Sequence, residues 1–224
     1  MGSCTDKTGV TLIEMLIVVA VIALMVSMVV GIGQRTHTQG QIQLTGESIA
    51  IVVTALQQFQ EHGYAYKATA YAELDFPLDC NGFASDALLR TLERGLGWDA
   101  GAANIAPLNP GDPIEHKAEF SGSEALYFFL SRVPECRKTL ERMDRSLLTN
   151  RDDKGYGMQL RTPPPAGDFA LWRIIDPWGT TLDYDYYDET KPEAEFAGTK
   201  RSFPVVTSAG PDRQFGTPDD LTSR

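Results

Sequence analysis

From Met15 to Gln34 no side chain carries a charge, and the run reads MLIVVAVIALMVSMVVGIGQ. An α-helix rises about 1.5 Å per residue, so roughly 20 such residues reach across the roughly 30 Å hydrocarbon core of a bilayer. The pattern predicts a helix whose membrane-spanning part covers about residues 12–33. Beyond it, Ile49, Val52, Val53, Leu56 and Phe59 recur at three- and four-residue spacing and make one apolar stripe, with Gln57, Gln58 and Glu61 on other faces. The stem helix is therefore expected to run over 10–62 and to break at His62-Gly63. Gly31, Gly33, Gly40 and Gly46 lie inside it, each less favourable than alanine by up to about 1 kcal/mol, which predicts bending or local melting there.

The middle of the chain, 63–168, reads as helices joined by irregular loops. Ser85 is placed to cap a helix carrying Leu88, Leu89, Leu92 and Leu96, and Ser121 and Glu124 have capping-box spacing ahead of Ala125–Leu130. A third helix follows Pro134, with Cys136, Leu140, Met143 and Leu147 on one face. Between them, Pro107–Pro113 is a turn-rich loop. From about 169 to 224 the character changes. Phe169–Ile175 has strand composition, Leu182, Tyr184 and Tyr186 alternate with Asp183 and Asp185, and Pro204–Thr207 offers a third strand. The fold class expected is α+β, a long amino-terminal membrane-spanning helix followed by a globular domain with helices and a small antiparallel β-sheet packed on the stem.

Composition narrows the partners. A net charge of −10 over 224 residues, most of it beyond the apolar run, argues against a nucleic-acid partner, which needs a basic patch for phosphates. An acidic surface suits cations better. The histidines, His37, His62 and His116, fall into no HExxH or paired ligand spacing, and there is no Gly-x-Ser-x-Gly elbow, phosphate loop or dinucleotide fingerprint. The chain is not expected to be an enzyme. Of its three cysteines, Cys4 precedes the apolar run, which leaves Cys80 and Cys136 as an even pair. In an extracytoplasmic domain these could form a disulfide, and the other reading is two buried thiols.

Ahead of the apolar run stands Gly9-Val10-Thr11-Leu12-Ile13-Glu14. In a secretory signal the cleavage site follows the apolar stretch; here the small residue precedes it, so cutting after Gly9 removes a short polar leader, 1–9, and leaves the helix in place. This arrangement resembles the class III signal of type IV pilins and of type II secretion pseudopilins. The resemblance implies cleavage after Gly9 by a prepilin peptidase, N-methylation of Val10, and a role in assembly for Glu14 as the fifth mature residue, paired with the amino-terminal ammonium of an adjacent subunit. An ionised side chain near hydrocarbon is unfavourable by about 2.5–3.5 kcal/mol at a helix centre, so such a partner is physically called for. The sequence departs from the usual pattern in having Val10 where Phe or Met is commoner and only one base, Lys7, in the leader.

Two further motifs bear on the type of subunit. Asp176-Pro177-Trp178-Gly179 is a turn signal that similarly precedes the sheet of the major pseudopilin, the G subunit. Ser208-Ala209-Gly210-Pro211-Asp212-Arg213-Gln214-Phe215-Gly216-Thr217-Pro218-Asp219-Asp220-Leu221 places three carboxylates on a loop bent by glycine and proline. Calcium takes six to eight oxygen ligands, backbone carbonyls among them. Composition alone favours a solvated acidic tail over an ion site. The resemblance to G-subunit pseudopilins implies a calcium site with Asp212 and Asp220 matching most directly, then Asp219, and Ser208 through its carbonyl. It further implies a single-pass protein of the bacterial inner membrane, amino terminus cytoplasmic and globular domain periplasmic. Its partners would be copies of itself and other pseudopilins in a filament, the prepilin peptidase and the inner-membrane secretion platform. The competing readings are a type IV pilin for adhesion or motility and a membrane-tethered domain outside the pilin class.

Overall fold

The apolar run and the stripe that follows it form one helix, α1, Leu12–His62. The computed structural model describes residues 12–62, 75–77, 80, 88–89, 92, 101, 103–162, 167–188 and 199–224; within these, the side chains of 28–35, 187–188 and 199–201 are not described. The helix continues unbroken through all four glycines, so the expected melting is not seen. Gly40 and Gly46 have open space where a Cβ would stand; their presence reflects no close packing. Among the described residues no helix is long and apolar enough to cross a membrane. The apolar stretch with described side chains, Leu12–Ser27, is shorter than the roughly 20 residues a span needs.

The chain divides into two units, one ending at Gln41 and one beginning at Ile42. In the first, every described side chain from Leu12 to Ser27 is exposed. In the second, Ile49, Val52, Ala55, Leu56 and Phe59 are buried, as the stripe predicts.

The further elements described in the second unit are β1 (Asn104–Pro107), α2 (Ala118–Arg132), α3 (Pro134–Leu140), a 3-10 turn (Arg145–Leu147), β2 (Leu148–Thr149), β3 (Met158–Arg161), β4 (Phe169–Ala170), β5 (Arg173–Ile174), β6 (Asp183–Asp188), β7 (Thr199–Ser208) and β8 (Leu221–Thr222). Among the described residues the strand pairs are antiparallel, in three small sheets of order β1-β3-β4, β2-β5 and β6-β7-β8. One core joins α1, α2, α3 and the strands. Side chains pin the helices together: Cys136 Sγ donates to the Ala55 carbonyl at 3.2 Å and Thr139 Oγ1 to Gln58 Oε1 at 2.7 Å. Leu182, Tyr184 and Tyr186 are buried as their alternation requires, and Tyr184 Oη donates to the Pro77 carbonyl at 2.8 Å.

Several expected elements take a different form. The strand expected over 169–175 is two strands in different sheets, because the chain turns tightly at Trp172, whose N–H donates to the Ala170 carbonyl. The helix after Pro134 has proline in its first turn but stops at Leu140. Met143 and Leu147 still reach the core, from a turn and from the 3-10 segment that the Asp144 carboxylate caps through Ser146 N. The capping box is absent. Helix α2 starts at Ala118, so Ser121 and Glu124 lie inside it and are buried. The helix proposed to follow Ser85 lies largely outside the described residues; Leu88, Leu89 and Leu92 are helical, with Leu88 and Leu92 buried. Strand β7 is longer than expected and its register with β6 shifts between Asp185 and Tyr187. Pro204 lies in that interval and has no N–H to give the ladder.

Candidate functional sites at the two ends of the chain

Gly9 and Val10 lie outside the described residues; Glu14 is in the first turn of α1. Around it the helix shows apolar side chains on every face, with Leu12 84%, Val19 63% and Met25 63% exposed. A helix apolar all round is stable only when something covers it, lipid or other helices.

At the other end the structure joins two motifs that the sequence shows separately. Asp176 follows β5 and is buried. Its Oδ1 accepts from Trp178 N at 3.0 Å and Thr180 N at 2.8 Å, so the carboxylate holds the Asp-Pro-Trp-Gly turn closed, with Gly179 at φ +89° donating back to the Asp176 carbonyl. Its Oδ2 accepts from Ser208 Oγ at 2.8 Å, and Ser208 Oγ in turn accepts from Gly210 N at 3.2 Å. Ser208 is fully buried at the end of β7. One buried carboxylate thus ties the turn to the root of the acidic loop. Its chemistry here is structural.

The loop closes on itself. Gly210 adopts φ +66°, and a Cβ there would collide with the Asp219 carbonyl oxygen, so only glycine fits. Asp212 Oδ1 accepts from Gln214 N at 2.8 Å, Asp219 Oδ2 from Asp212 N at 3.2 Å, and Asp220 Oδ2 from Gly216 N at 2.8 Å. Thr217 Oγ1 donates to Asp219 Oδ1 at 2.7 Å; that hydroxyl and the loop amides hold the Asp219 carboxyl below the usual range. Arg213, at φ +60°, is the one non-glycine residue with positive φ among those described. The loop oxygens suit a hard cation in kind but not in grouping. Among the described residues no three His, Cys, Asp or Glu side chains gather so as to hold a metal ion. The side chain of Ser208 is committed to Asp176.

The pairing of Cys80 with Cys136 is not formed: both are buried thiols. Cys80 Sγ donates to the Ser121 carbonyl, and Cys136 Sγ to Ala55 on α1. Burial pushes the Cys136 thiol up to about 11, which makes it a poor nucleophile.

Sequence reasoning missed a buried polar set. Glu124, fully buried on α2, meets His116 Nε2 at 2.7 Å through Oε2. Burial raises its carboxyl above the ordinary value against the opposing pull of His116 and Arg173. Arg173 stacks its guanidinium 3.7 Å from the Phe120 ring centroid. The available signal was an acid placed against the apolar run Ala125–Leu130, where only a partnered carboxylate is tolerated.

The profile of the prokaryotic N-terminal methylation motif matches residues 4–30. No curated protein and no solved structure matches the chain. The match spans Gly9, Val10, Glu14 and most of the apolar run Met15–Gln34. The chain carries a prokaryotic N-terminal methylation motif, which fits type IV pilin-like proteins in general.

Proposed function

We propose that the protein is a pseudopilin of a type II secretion system, a structural subunit that polymerises into a periplasmic filament driving protein export. Prepilin peptidase would cut between Gly9 and Val10 and Val10 would be methylated. The amino-terminal part of α1 would anchor the subunit in the bacterial inner membrane until it is drawn into the filament. The observation that carries this reading is the methylation motif on a helix with apolar side chains exposed on every face. Copies of the helix can bury that surface against one another, each Å² removed from water contributing roughly 25 cal/mol. Glu14 then has a role in register, since the ammonium of a neighbour's processed terminus offsets its charge.

What favours the secretion subunit over a pilus subunit is the Asp176–Ser208 bond at 2.8 Å, which makes the turn and the acidic loop one construction. Calcium belongs to the same proposal. Asp212 and Asp219, already linked through the Asp212 amide, would supply carboxylate oxygens, with Asp220 and main-chain oxygens such as that of Ser208 completing the set; the ion would offset the repulsion of neighbouring carboxylates. Deleting the gene and comparing secreted proteins with surface pili tests the assignment. Lost secretion with pili intact supports it, and lost pili with secretion intact replaces it with a type IV pilin.

A further inference from the structure

Charge is unevenly spread over this acidic chain. Its net charge is −10, yet residues 134–151 hold five of its twenty lysines and arginines, Arg137, Lys138, Arg142, Arg145 and Arg151, against the carboxylates of Glu135, Glu141 and Asp144. The packing of α3 explains why these cations face water. Cys136, Thr139 and Leu140 are its buried face, held to α1 through the Ala55 carbonyl and Gln58, so Arg137 and Lys138 fall on the outer side. All five cations are exposed, and none forms an ion pair with a carboxylate among the described residues. Of the three acids in this stretch, Asp144 is committed to the Ser146 amide. The result is an unpartnered helix face and turn of positive potential on a protein of the opposite sign, which attracts an acidic surface.

The chain itself supplies a fitting surface. Residues 188–195 read DETKPEAE, four carboxylates against Lys191 alone. They follow directly on β6, and Asp188 pairs in register with Thr199 of β7, so the chain between them leaves and rejoins the domain at one place. The other acidic set, the carboxy-terminal loop, is less available, because Asp212, Asp219 and Asp220 accept from the loop's own amides. Contact between two different patches on successive copies is heterologous, and where the rotation does not close it generates an open filament. An exposed ion pair holds little by itself. The contribution of this contact is therefore to encounter and register, with the apolar α1 surfaces supplying the hold.

We infer that the exposed face of α3 and the turn after it dock the acidic segment 188–195 of a second copy of this chain, a head-to-tail contact that rests on the filament reading above. The test uses the full chain in cells with an active prepilin peptidase, from which filaments are sheared and quantified. Replacing Arg137→Glu together with Arg142→Glu should lower recovery in filaments at least about threefold, since like charges then face one another. Adding Glu189→Lys and Glu193→Lys to that same chain should restore recovery. Independently, differently tagged Arg142→Cys and Glu193→Cys chains produced together should give a disulfide-linked heterodimer that neither chain gives alone. If the charge reversal lowers the melting temperature, the cross-link decides. Normal recovery of the charge-reversed chain, absence of the heterodimer, or a link formed only within a chain that carries both cysteines would overturn this contact while the unaltered chain still forms filaments. No filaments from the unaltered chain would instead remove the filament reading, and the contact with it.

Discussion

Ser208→Ala removes one oxygen and breaks the link between the two carboxy-terminal motifs. In the native protein that oxygen donates to Asp176 Oδ2 and accepts from Gly210 N, all in a buried setting. A hydrogen bond to a charged group contributes about 1.5–3 kcal/mol, and a buried donor left without a partner costs about 1–3 kcal/mol. Relaxation of Gly210 toward water recovers part of the second figure, so the net loss should be about 2–4 kcal/mol. For a domain of this size about 1 kcal/mol corresponds to roughly 2–4 °C, so the melting temperature should fall by roughly 4–16 °C. Asp176 keeps its bonds from Trp178 N and Thr180 N, so the turn should survive while the acidic loop loosens. Thermal unfolding of the full chain in detergent gives the first number. Limited proteolysis should show faster cleavage within 209–220 and unchanged cleavage near Trp178. A loss under about 0.5 kcal/mol, the usual scatter of a surface change, would refute the claim that this serine joins the two motifs.

Glu14→Ala should leave the protein in the membrane fraction yet depress its recovery in filaments, read by shearing and immunoblotting; normal filament yield would remove the proposed pairing. Glu124→Gln should flatten the pH dependence of stability. Burial raises the folded carboxyl above its unfolded value, so the unaltered protein should lose stability as pH rises from the unfolded value through the folded one; equal slopes in the two proteins, by denaturant titration from acid to neutral pH, would contradict this. Calcium at about 100 times its dissociation constant should stabilise the domain by about 2.7 kcal/mol if it binds the folded loop alone. Asp212→Ala and Asp220→Ala should abolish that gain, whereas identical melting with calcium and with chelator would leave the loop closed by its own amides.

Periodicity was legible where burial alone decides structure. The stripe from Ile49 to Phe59 and the alternation of Leu182, Tyr184 and Tyr186 are both buried as read, because apolar spacing reports directly on which face meets the core. Boundaries set by local hydrogen bonds were not. The tight turn at Trp172 splits Phe169–Ile175, a segment whose residue types suit a strand throughout. The spacing at Ser121 and Glu124 is not a capping box because α2 begins at Ala118, so both lie buried within the helix, and Glu124 bonds to His116 instead of to a cap amide. At the site, the turn and the acidic loop were each visible as residue types. Their union through Asp176 and Ser208 spans 32 positions, and a contact at that separation leaves no periodic trace. The cysteines show the same limit, since an even count says nothing of where the chain carries each thiol.

The account rests on processing of the amino terminus at the methylation motif. Mass spectrometry of the protein extracted from membranes and from sheared filaments of cells that carry an active prepilin peptidase measures it directly. The expected species begins at Val10 and is heavier by one methyl group, and Gly9→Val should leave the chain uncut and out of filaments. Full-length protein beginning at Met1 in both fractions, with filaments intact, would contradict the assignment of this chain to the pilin-like class of assembly.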